Sequence, residues 1–175
     1  VLGLLSDVLL APENSFQIDK KSVIDLLVAQ QTIVKQNQRA DQVLLELCQL
    51  LRAHAIEFIV VKGQLLAQYY PCPQYSQSGD IDFYCDDRNF MRAKDVIQSE
   101  WGVTFGVEDD ESEQHIAFDY KGVPFELHFC LLKFTSKRVQ KAFDKMLNDA
   151  QPFSIDVAGC AVPTLPPVEN LIFTF

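Results

Sequence analysis

Two aspartates in one short apolar segment are the residues of this chain best suited to chemistry. Asp80 and Asp82 lie two residues apart in SGDIDFYC, so a β-strand would point both carboxylates to one face, roughly 6.5–7 Å apart. Ile81 and Phe83 would then point to the opposite face, into a core. Because carboxylates are costly to bury without a partner, we expect a cation or another partner to hold them, and we favour a metal ion. A structural turn is the simpler alternative, since a lone pair of aspartates is common at strand starts.

A third carboxylate occurs in a later apolar segment, PFELHFCLL (124–132). There Glu126 and His128 would share one strand face, with apolar side chains on the other. Three carboxylates on neighbouring strands make a site for a hard divalent cation such as Mg²⁺ or Mn²⁺. Such ions neutralise phosphate charge and align the attacking and leaving oxygens in triphosphate chemistry. Taken alone, Glu126 could be an edge-strand surface residue, and His128 could orient Glu126, contact a phosphate or face solvent.

A strand-to-helix turn at Lys62-Gly63 adds a candidate anion site. The strand ends at this pair and a short helix opens at Gln64, so backbone N–H groups would be available to a phosphate. Gly63 would allow close approach of the phosphate and Lys62 could add a positive charge. Without the carboxylates, the same pair is only a turn.

Composition narrows the class of protein. The 175 residues carry a formal net charge of −9, which disfavours nucleic acid as a partner because that affinity comes largely from Lys and Arg contacts with phosphate. The five cysteines include no CxxC pair, so neither a disulfide framework nor a zinc knuckle is indicated and we expect a reducing cytoplasm. No apolar run approaches the about 18 residues of a membrane span.

The elements that would position these residues alternate between helices and short strands, which predicts an α+β domain with a small mixed sheet and flanking helices. We expect an N-terminal helical segment over 1–54 and a second domain over 55–175. The helix over 22–54 would be capped by Ser22, with a break at the polar patch 34–41. The other predicted elements are strands at 56–61, 80–85, 103–107, 114–120 and 124–132, helices at 64–70, 88–100 and 136–150, a loop at 71–79, an exposed acidic loop at 108–113, and a hairpin of 153–157 with 160–165 before a last helix.

Both ends of the chain suggest a longer protein. The sequence begins at Val1 without a methionine and stops at Phe175 inside what reads as the start of a helix, PPVENLIFTF. We therefore expect a fragment that lacks a C-terminal part, including any acceptor contacts made there.

The segment VVKGQLLAQYYPCPQYSQSGDIDFYC resembles the signature of the DNA polymerase beta-like nucleotidyltransferase superfamily, in particular its bacterial branch of largely uncharacterised nucleotidyltransferases. The stretches FELHF and LPPVENLIF are similar to later parts of that pattern, so the resemblance runs from about Ile56 to the end. It implies a small mixed sheet with flanking helices and the transfer of a nucleoside monophosphate from an NTP to an acceptor.

The resemblance also implies roles for single residues. Asp80 and Asp82 would be metal-binding aspartates, Glu126 the third catalytic carboxylate, and Gly63 part of the glycine motif that touches the triphosphate. The remaining nucleotide-binding candidates are Lys62, Gln64, Ser78, Gly79 and His128.

The chain departs from the family pattern at two places. Gly63-Gln64 stands where Gly-Ser is typical, and Tyr75–Ser78 lacks the arginine often found just before GDID. The alternative hypothesis is accordingly a degenerate module of this fold that binds a nucleotide or a partner without catalysis, and a purely structural metal site is a third. The acceptor is unidentified, and a protein partner or a second copy of the chain remains open.

Overall fold

The computed structural model describes residues 2–13, 15–106 and 114–174. The helices in these ranges are α1 (Leu2–Leu10), α2 (Lys20–Ala53), α3 (Gly63–Ala67), α4 (Asp87–Trp101), α5 (Lys137–Asp149) and α6 (Pro167–Thr174), with a single 3₁₀ turn at Pro73–Tyr75. The strands are β1 (Ile59–Val61), β2 (Ile81–Tyr84), β3 (His115–Tyr120), β4 (Val123–His128), β5 (Phe153–Val157) and β6 (Cys160–Thr164).

The six strands form one mixed sheet in the order β3-β4-β2-β1-β6-β5. Neighbours β3 and β4, β1 and β2, and β5 and β6 run antiparallel, whereas β2 and β4, and β1 and β6, run parallel. The predicted α+β class and the C-terminal hairpin are therefore confirmed. The sheet brings β2 and β4, which are separated in sequence by helix α4 and strand β3, into direct contact.

Two apolar clusters cover opposite faces of the sheet. Val60 belongs to the larger cluster, which includes the buried leucines of α2 and the buried face of α4. Its neighbour Val61 belongs to a smaller cluster with Phe143 of α5, because adjacent strand residues point to opposite faces. Val61 pairs with Asp82 on β2, so the candidate carboxylate lies on the face covered by the smaller cluster, where room is left for a site.

Helix α2 differs from its prediction at both its start and its middle. It begins at Lys20 because the Asp19 carboxylate accepts hydrogen bonds from the backbone N–H groups of Lys21 and Ser22, each at 3.0 Å, so Asp19 and not Ser22 is the cap. The expected break at 34–41 is wrong, since the helix continues without interruption to Ala53.

The polar patch inside α2 has a structural use that explains its composition. The Asn37 side-chain amide donates to the carbonyl oxygens of Gln74 at 2.9 Å and Ser76 at 2.6 Å. Polar residues here tie the 71–79 loop, which leads into the GDID segment, to the helix instead of ending it. The amphipathic pattern continues beneath them, with Ala40 and Val43 buried.

Three other predicted elements need correction. Residues 103–106 do not form a strand; Gly106 donates one backbone hydrogen bond to Ala117 at 2.9 Å, which is too little for a ladder. Helix α3 ends at Ala67 instead of residue 70, and strand β1 covers only Ile59–Val61. The predicted acidic loop at 108–113 lies outside the described residues.

Strand β4 ends at His128 instead of residue 132, because the Phe129 and Cys130 amides both donate to the Gln114 carbonyl oxygen and the ladder stops there. The other elements form close to their predicted bounds. Helix α4 begins after Asp86, whose carboxylate accepts from the Asn89 N–H at 2.9 Å, and ends at Gly102 with φ 64°. Among the described helices, none combines the length and apolar character needed to cross a membrane.

Candidate active site on strands β2 and β4

The parallel pairing of β2 with β4 places Asp82 directly opposite Glu126. Neighbouring strands lie about 4.8 Å apart and paired side chains share a face, so the two carboxylates face the same space. Asp82 is buried, with 2% of its side chain exposed, whereas Glu126 is 26% exposed. Asp80 precedes β2 and is half-buried. Asp82 and Glu126 therefore share one face of the sheet, and Asp80 is close enough for its charge to raise the pKa of the Glu126 carboxyl.

Two cationic or hydrogen-bonding groups converge on one oxygen of Asp82. The Lys62 ammonium lies 3.1 Å and the His128 Nε2 2.9 Å from Oδ1. Burial alone would raise the pKa of the Asp82 carboxyl, but the hydrogen bonds and the charges of His128 and Lys62 outweigh it and lower that pKa below its ordinary value. Asp82 is therefore an ionised carboxylate held inside the protein.

Glu126 has the opposite electrostatic setting. Burial raises the pKa of its carboxyl; the nearby His115 opposes this effect, and the negative charges of Asp82 and Asp80 reinforce it. Its two oxygens lie 3.5 Å from His115 Nε2 and 3.4 Å from His128 Nε2. Two carboxylates of one site thus have pKa values displaced in opposite directions, an arrangement suited to different roles.

His115 is a site residue that the sequence interpretation did not single out. It lies on β3 and pairs with His128 across the antiparallel ladder, and the two rings are 5.0 Å apart between centroids. A signal was present in the sequence. Tyr120 pairs with Val123 around the two-residue turn Lys121-Gly122, and counting back from that turn places His115 opposite His128.

The turn at Lys62-Gly63 packs tightly against the segment that carries the aspartates. Both residues have positive φ, 55° and 40°. A Cβ added to Gly63 would lie 2.7 Å from Ser78 Oγ and 3.3 Å from the carbonyl oxygen of Asp80, so only glycine fits here. Ser78 in turn donates to the Asp80 carbonyl oxygen at 2.9 Å. The predicted glycine motif and the predicted aspartate motif therefore meet.

Asn170 of α6 holds the Lys62-Gly63 turn through a hydrogen bond to its backbone. This residue, like His115, was not singled out from the sequence. Its Oδ1 accepts from the Lys62 backbone N–H at 3.4 Å and its Nδ2 donates to Thr164 Oγ1 at 3.2 Å. The side chain is fully buried. An asparagine within the otherwise apolar NLIF stretch was the only sign, since a buried amide must find hydrogen-bond partners.

Gln64 and Gly79 lie farther from the carboxylates' hydrogen-bond network. Gln64 is buried and lines a cavity of about 220 Å³ together with Asn37 and Ser78, and Gly79 is exposed. Helix α3 has only five residues, and its Leu65 and Leu66 amides donate to the Lys62 carbonyl oxygen. An anion at this turn would therefore use the amides of Gly63 and Gln64.

A larger cavity of about 360 Å³ lies along the same face of the sheet. Its walls include Ile59 and Tyr84 of the sheet, Leu147 of α5 and Phe153 of β5. Tyr84 follows Asp82 by two residues on β2 and so shares its face. The cavity offers partly apolar space on the face of the sheet that carries Asp82, and Asp80, Asp82 and Glu126 are not among its lining residues.

The mixed sheet, the glycine turn and the carboxylates of β2 and β4 fit the resemblance to nucleotidyltransferases that the sequence shows. A model of the family described as uncharacterised nucleotidyltransferase matches residues 1–175. The chain belongs to this family. Comparisons with curated proteins and with solved structures found no match.

Proposed function

We propose that the protein is a metal-dependent nucleotidyltransferase that moves a nucleoside monophosphate from an NTP to an acceptor hydroxyl. The observation that carries the proposal is the pairing of Asp82 with Glu126 beside the Gly63 turn. Family membership supports nucleotidyl transfer in general; the metal, the residue roles and the acceptor are our inference.

The donor set suits Mg²⁺ or Mn²⁺, which prefer carboxylate oxygens. Asp80 and Asp82 would hold such an ion, and the lowered pKa of Asp82 keeps that ligand ionised. A bound ion would neutralise triphosphate charge and orient the reacting oxygens. Glu126 would complete a second metal position between β2 and β4.

In the transfer step, the acceptor hydroxyl oxygen forms a bond to the α-phosphorus of the NTP and the bond to pyrophosphate breaks. The hydroxyl proton passes to Glu126, whose raised pKa makes it a better base than an ordinary surface glutamate. The Gly63 turn lets the triphosphate approach the backbone. Asp80 and Asp82 thus share the first ion, whereas Glu126 completes the second metal position or, with or without help from a metal, accepts the proton.

Lys62 has two partners in this scheme. Without a nucleotide its ammonium neutralises Asp82 at 3.1 Å. With a metal ion on Asp82, the Lys62 ammonium would be available to a phosphate oxygen of the triphosphate. It would then supply positive charge where the arginine typical of the family before GDID is missing. The Lys62 side chain is 36% exposed, so it can change rotamer towards the triphosphate.

The acceptor is a small molecule or a protein hydroxyl in preference to nucleic acid, because the net charge of −9 repels phosphate backbones. The 360 Å³ cavity beyond Tyr84 is of the size that binds small ligands. We propose it as the space for the base or the acceptor. We further propose a cytoplasmic location from the five cysteines, none of which forms a disulfide.

A non-catalytic nucleotide-binding or partner-binding module is the second candidate. The Lys62–Asp82 contact favours it, because a built-in cation can substitute structurally for a metal. Gln64, where the family typically has serine, is buried among side chains of α2 and the 71–79 loop.

Thermal unfolding with ATP, CTP, GTP or UTP, each with and without Mg²⁺, tests both candidates. A ligand that binds only the folded chain raises Tm by mass action. We expect a metal-dependent rise that is lost in the Asp80→Asn/Asp82→Asn variant and kept in Asp95→Asn, which changes an exposed aspartate on α4. Pyrophosphate release with an acceptor pool then separates transferase from binding module. No rise with any nucleotide would contradict the transferase and a nucleotide-binding module, and it would leave the partner-binding module.

A further inference from the structure

We propose that His115, Glu126 and His128 form a binding site for an imidazole-preferring divalent transition-metal ion of the Zn²⁺ and Co²⁺ type. The site lies beside the Asp80–Asp82 position that would take Mg²⁺ and differs from it in its nitrogen ligands. The inference rests on the proposed function only through the shared Glu126, and metal binding here is measurable without any nucleotide.

The three side chains converge from two strands. One ligand atom from each, either an imidazole nitrogen or a carboxylate oxygen, lies within 4.8 Å of the other two. His115 Nε2 and His128 Nε2 lie 3.5 Å and 3.4 Å from the Glu126 oxygens. In a tetrahedral site with metal–ligand bonds of 2.0–2.2 Å, ligand atoms are about 3.4 Å apart. Each histidine thus lies at about this spacing from Glu126, and because the two contacts run to different Glu126 oxygens, the carboxylate would bind the ion through both oxygens or after a rotation.

The backbone beneath the cluster is regular and well paired. His115 faces His128, and Glu126 faces Ala117, in the six-residue antiparallel ladder of β3 and β4. Sites built on paired strands hold ligand geometry better than sites on loops. The small side chain of Ala117 leaves space beside Glu126 on the β3 side.

The carboxylates of Asp82 and Glu126 favour a cation beside His128, and the Lys62 ammonium would have to leave Asp82 Oδ1 for Asp82 to become a ligand. His128 is buried, with 6% of its side chain exposed, and its Nε2 faces both Asp82 Oδ1 at 2.9 Å and a Glu126 oxygen. An ion bound at this nitrogen would lie between two carboxylates from adjacent strands. Asp82 is then available as a fourth ligand or as a hydrogen-bond partner that orients the ligands.

The donor types decide which ion is preferred. Imidazole nitrogen suits Zn²⁺, Co²⁺, Ni²⁺ and Cu²⁺, whereas oxygen-only ligands suit Mg²⁺ and Ca²⁺. Two imidazoles and one carboxylate, with room for solvent or substrate at the half-exposed side of His115 and Glu126, form an open site of the type used in catalysis. The chain thus presents two neighbouring positions with different metal preferences.

The test is a titration of chelator-treated protein with Co²⁺, followed by visible absorption and calorimetry. We expect one high-affinity site that Zn²⁺ displaces and that a large excess of Mg²⁺ does not. His115→Gln should weaken it at least about tenfold. His54→Gln is the matched control, because His54 is the third histidine of the chain and is exposed at the end of α2.

His115→Gln is the informative variant because His115 lies on the edge strand β3 and is 28% exposed, whereas replacing buried His128 also removes a partner of Asp82. All five cysteines remain in every variant, so a thiol-bound ion would persist in His115→Gln. Equal Co²⁺ binding by the His115→Gln and His54→Gln variants would overturn the inference.

Asp80→Asn separates the two proposals. Asp80 is not one of the three ligands, so this variant should keep Co²⁺ binding while it loses the Mg²⁺-dependent nucleotide effect. If the wild type binds Co²⁺ but shows no Mg²⁺-dependent nucleotide effect, the proposed function is contradicted and the transition-metal site stands. Loss of Co²⁺ binding in Asp80→Asn would overturn the transition-metal site as a separate position.

Discussion

The ammonium group of Lys62 lies 3.1 Å from Oδ1 of Asp82, so the carboxylate that would bind a metal ion is paired with a cation of the same chain. Lys62 adopts a φ of 55°, a conformation that non-glycine residues rarely take. Asn170 accepts a hydrogen bond from its backbone N–H. The pair links the glycine turn to the carboxylates. Because Lys62 stabilises buried Asp82 and occupies the place of a metal ion, the same contact affects both the stability of the fold and its affinity for metal.

Replacing Lys62 should therefore separate stability from metal affinity. Without metal, Lys62→Met leaves Asp82 with one fewer partner, and we expect the free energy of unfolding to fall by about 1–3 kcal/mol. Metal should bind the nucleotide-free variant more tightly, since no ammonium has to be displaced. Urea unfolding followed by the fluorescence of Trp101, the single tryptophan, measures the first effect, and calorimetry with Mg²⁺ or Mn²⁺ the second.

Lys145→Met serves as the control for Lys62→Met. Lys145 pairs with Asp149 on the surface of α5 and is 74% exposed, so its loss should change stability by no more than about 0.5 kcal/mol. Weaker metal binding by Lys62→Met than by wild type would contradict the displacement of an ammonium by the ion.

Asp82 should make the free energy of unfolding fall as the pH is lowered into the acid range. Its folded pKa lies below its ordinary value, against an unfolded value of about 3.9. The ionised carboxylate thus stabilises the fold above about pH 4, and this contribution is lost as pH falls through the lower folded value. Lys62, His128 and Glu126 are the charged or titratable groups that face it.

We expect Asp82→Asn to flatten the acid limb of the stability profile compared with Asp95→Asn. Urea midpoints measured from pH 6 down to pH 3 in the presence of a chelator would show it. An acid limb as steep in Asp82→Asn as in the wild type would mean that other carboxylates account for the acid sensitivity.

Ionisation of Glu126 should lower the free energy of unfolding, the opposite of the effect of Asp82. Because the folded pKa of Glu126 is raised, its ionisation opposes folding above about pH 4.3, the unfolded value. In chelator at pH 7, Glu126→Gln should be as stable as the wild type or more stable, by up to about 1 kcal/mol given its exposure, and this advantage should vanish below pH 4. The same variant should lose nucleotidyl transfer. A variant that is destabilised at pH 7 would contradict the electrostatic assignment.

Gly63 should tolerate no side chain. Gly63→Ala combines a φ of 40° with a Cβ 2.7 Å from Ser78 Oγ, so we expect a loss of about 2–4 kcal/mol. Gly102→Ala is the control, because Gly102 also has positive φ but open space around it; it should cost about 1 kcal/mol. Adding Ser78→Ala to Gly63→Ala should recover part of the loss. A double variant no more stable than Gly63→Ala would exclude the Ser78 contact as the cause.

Sequence periodicity was sufficient for most elements, since it depends on local side-chain alternation. The alternation in GDIDF and FELHF predicted strands with carboxylates on one face. Periodicity failed where distant contacts decide the outcome. The polar patch of α2 looked like a break because its partners, the carbonyl oxygens of Gln74 and Ser76, are more than 30 residues away. Residues 103–106 were predicted as a strand because they include β-branched and aromatic residues, which are common in strands; composition alone does not show whether a neighbouring strand is available for pairing.

The sequence by itself determined that Glu126 and His128 share a strand face, because the two-residue period of a strand is a local property. It predicted the same for Asp80 and Asp82, but β2 begins at Ile81 and Asp80 lies just before it. Only the tertiary structure decided that β2 pairs in parallel with β4 and brings Asp82 opposite Glu126. The antiparallel pairing of β3 with β4 brings His115 to the site, and that of β1 with β2 brings Lys62. Asn170 of α6 reaches the Lys62 backbone through a hydrogen bond. Which strands become neighbours depends on how the helices cover both faces of the sheet, and that packing involves the whole chain.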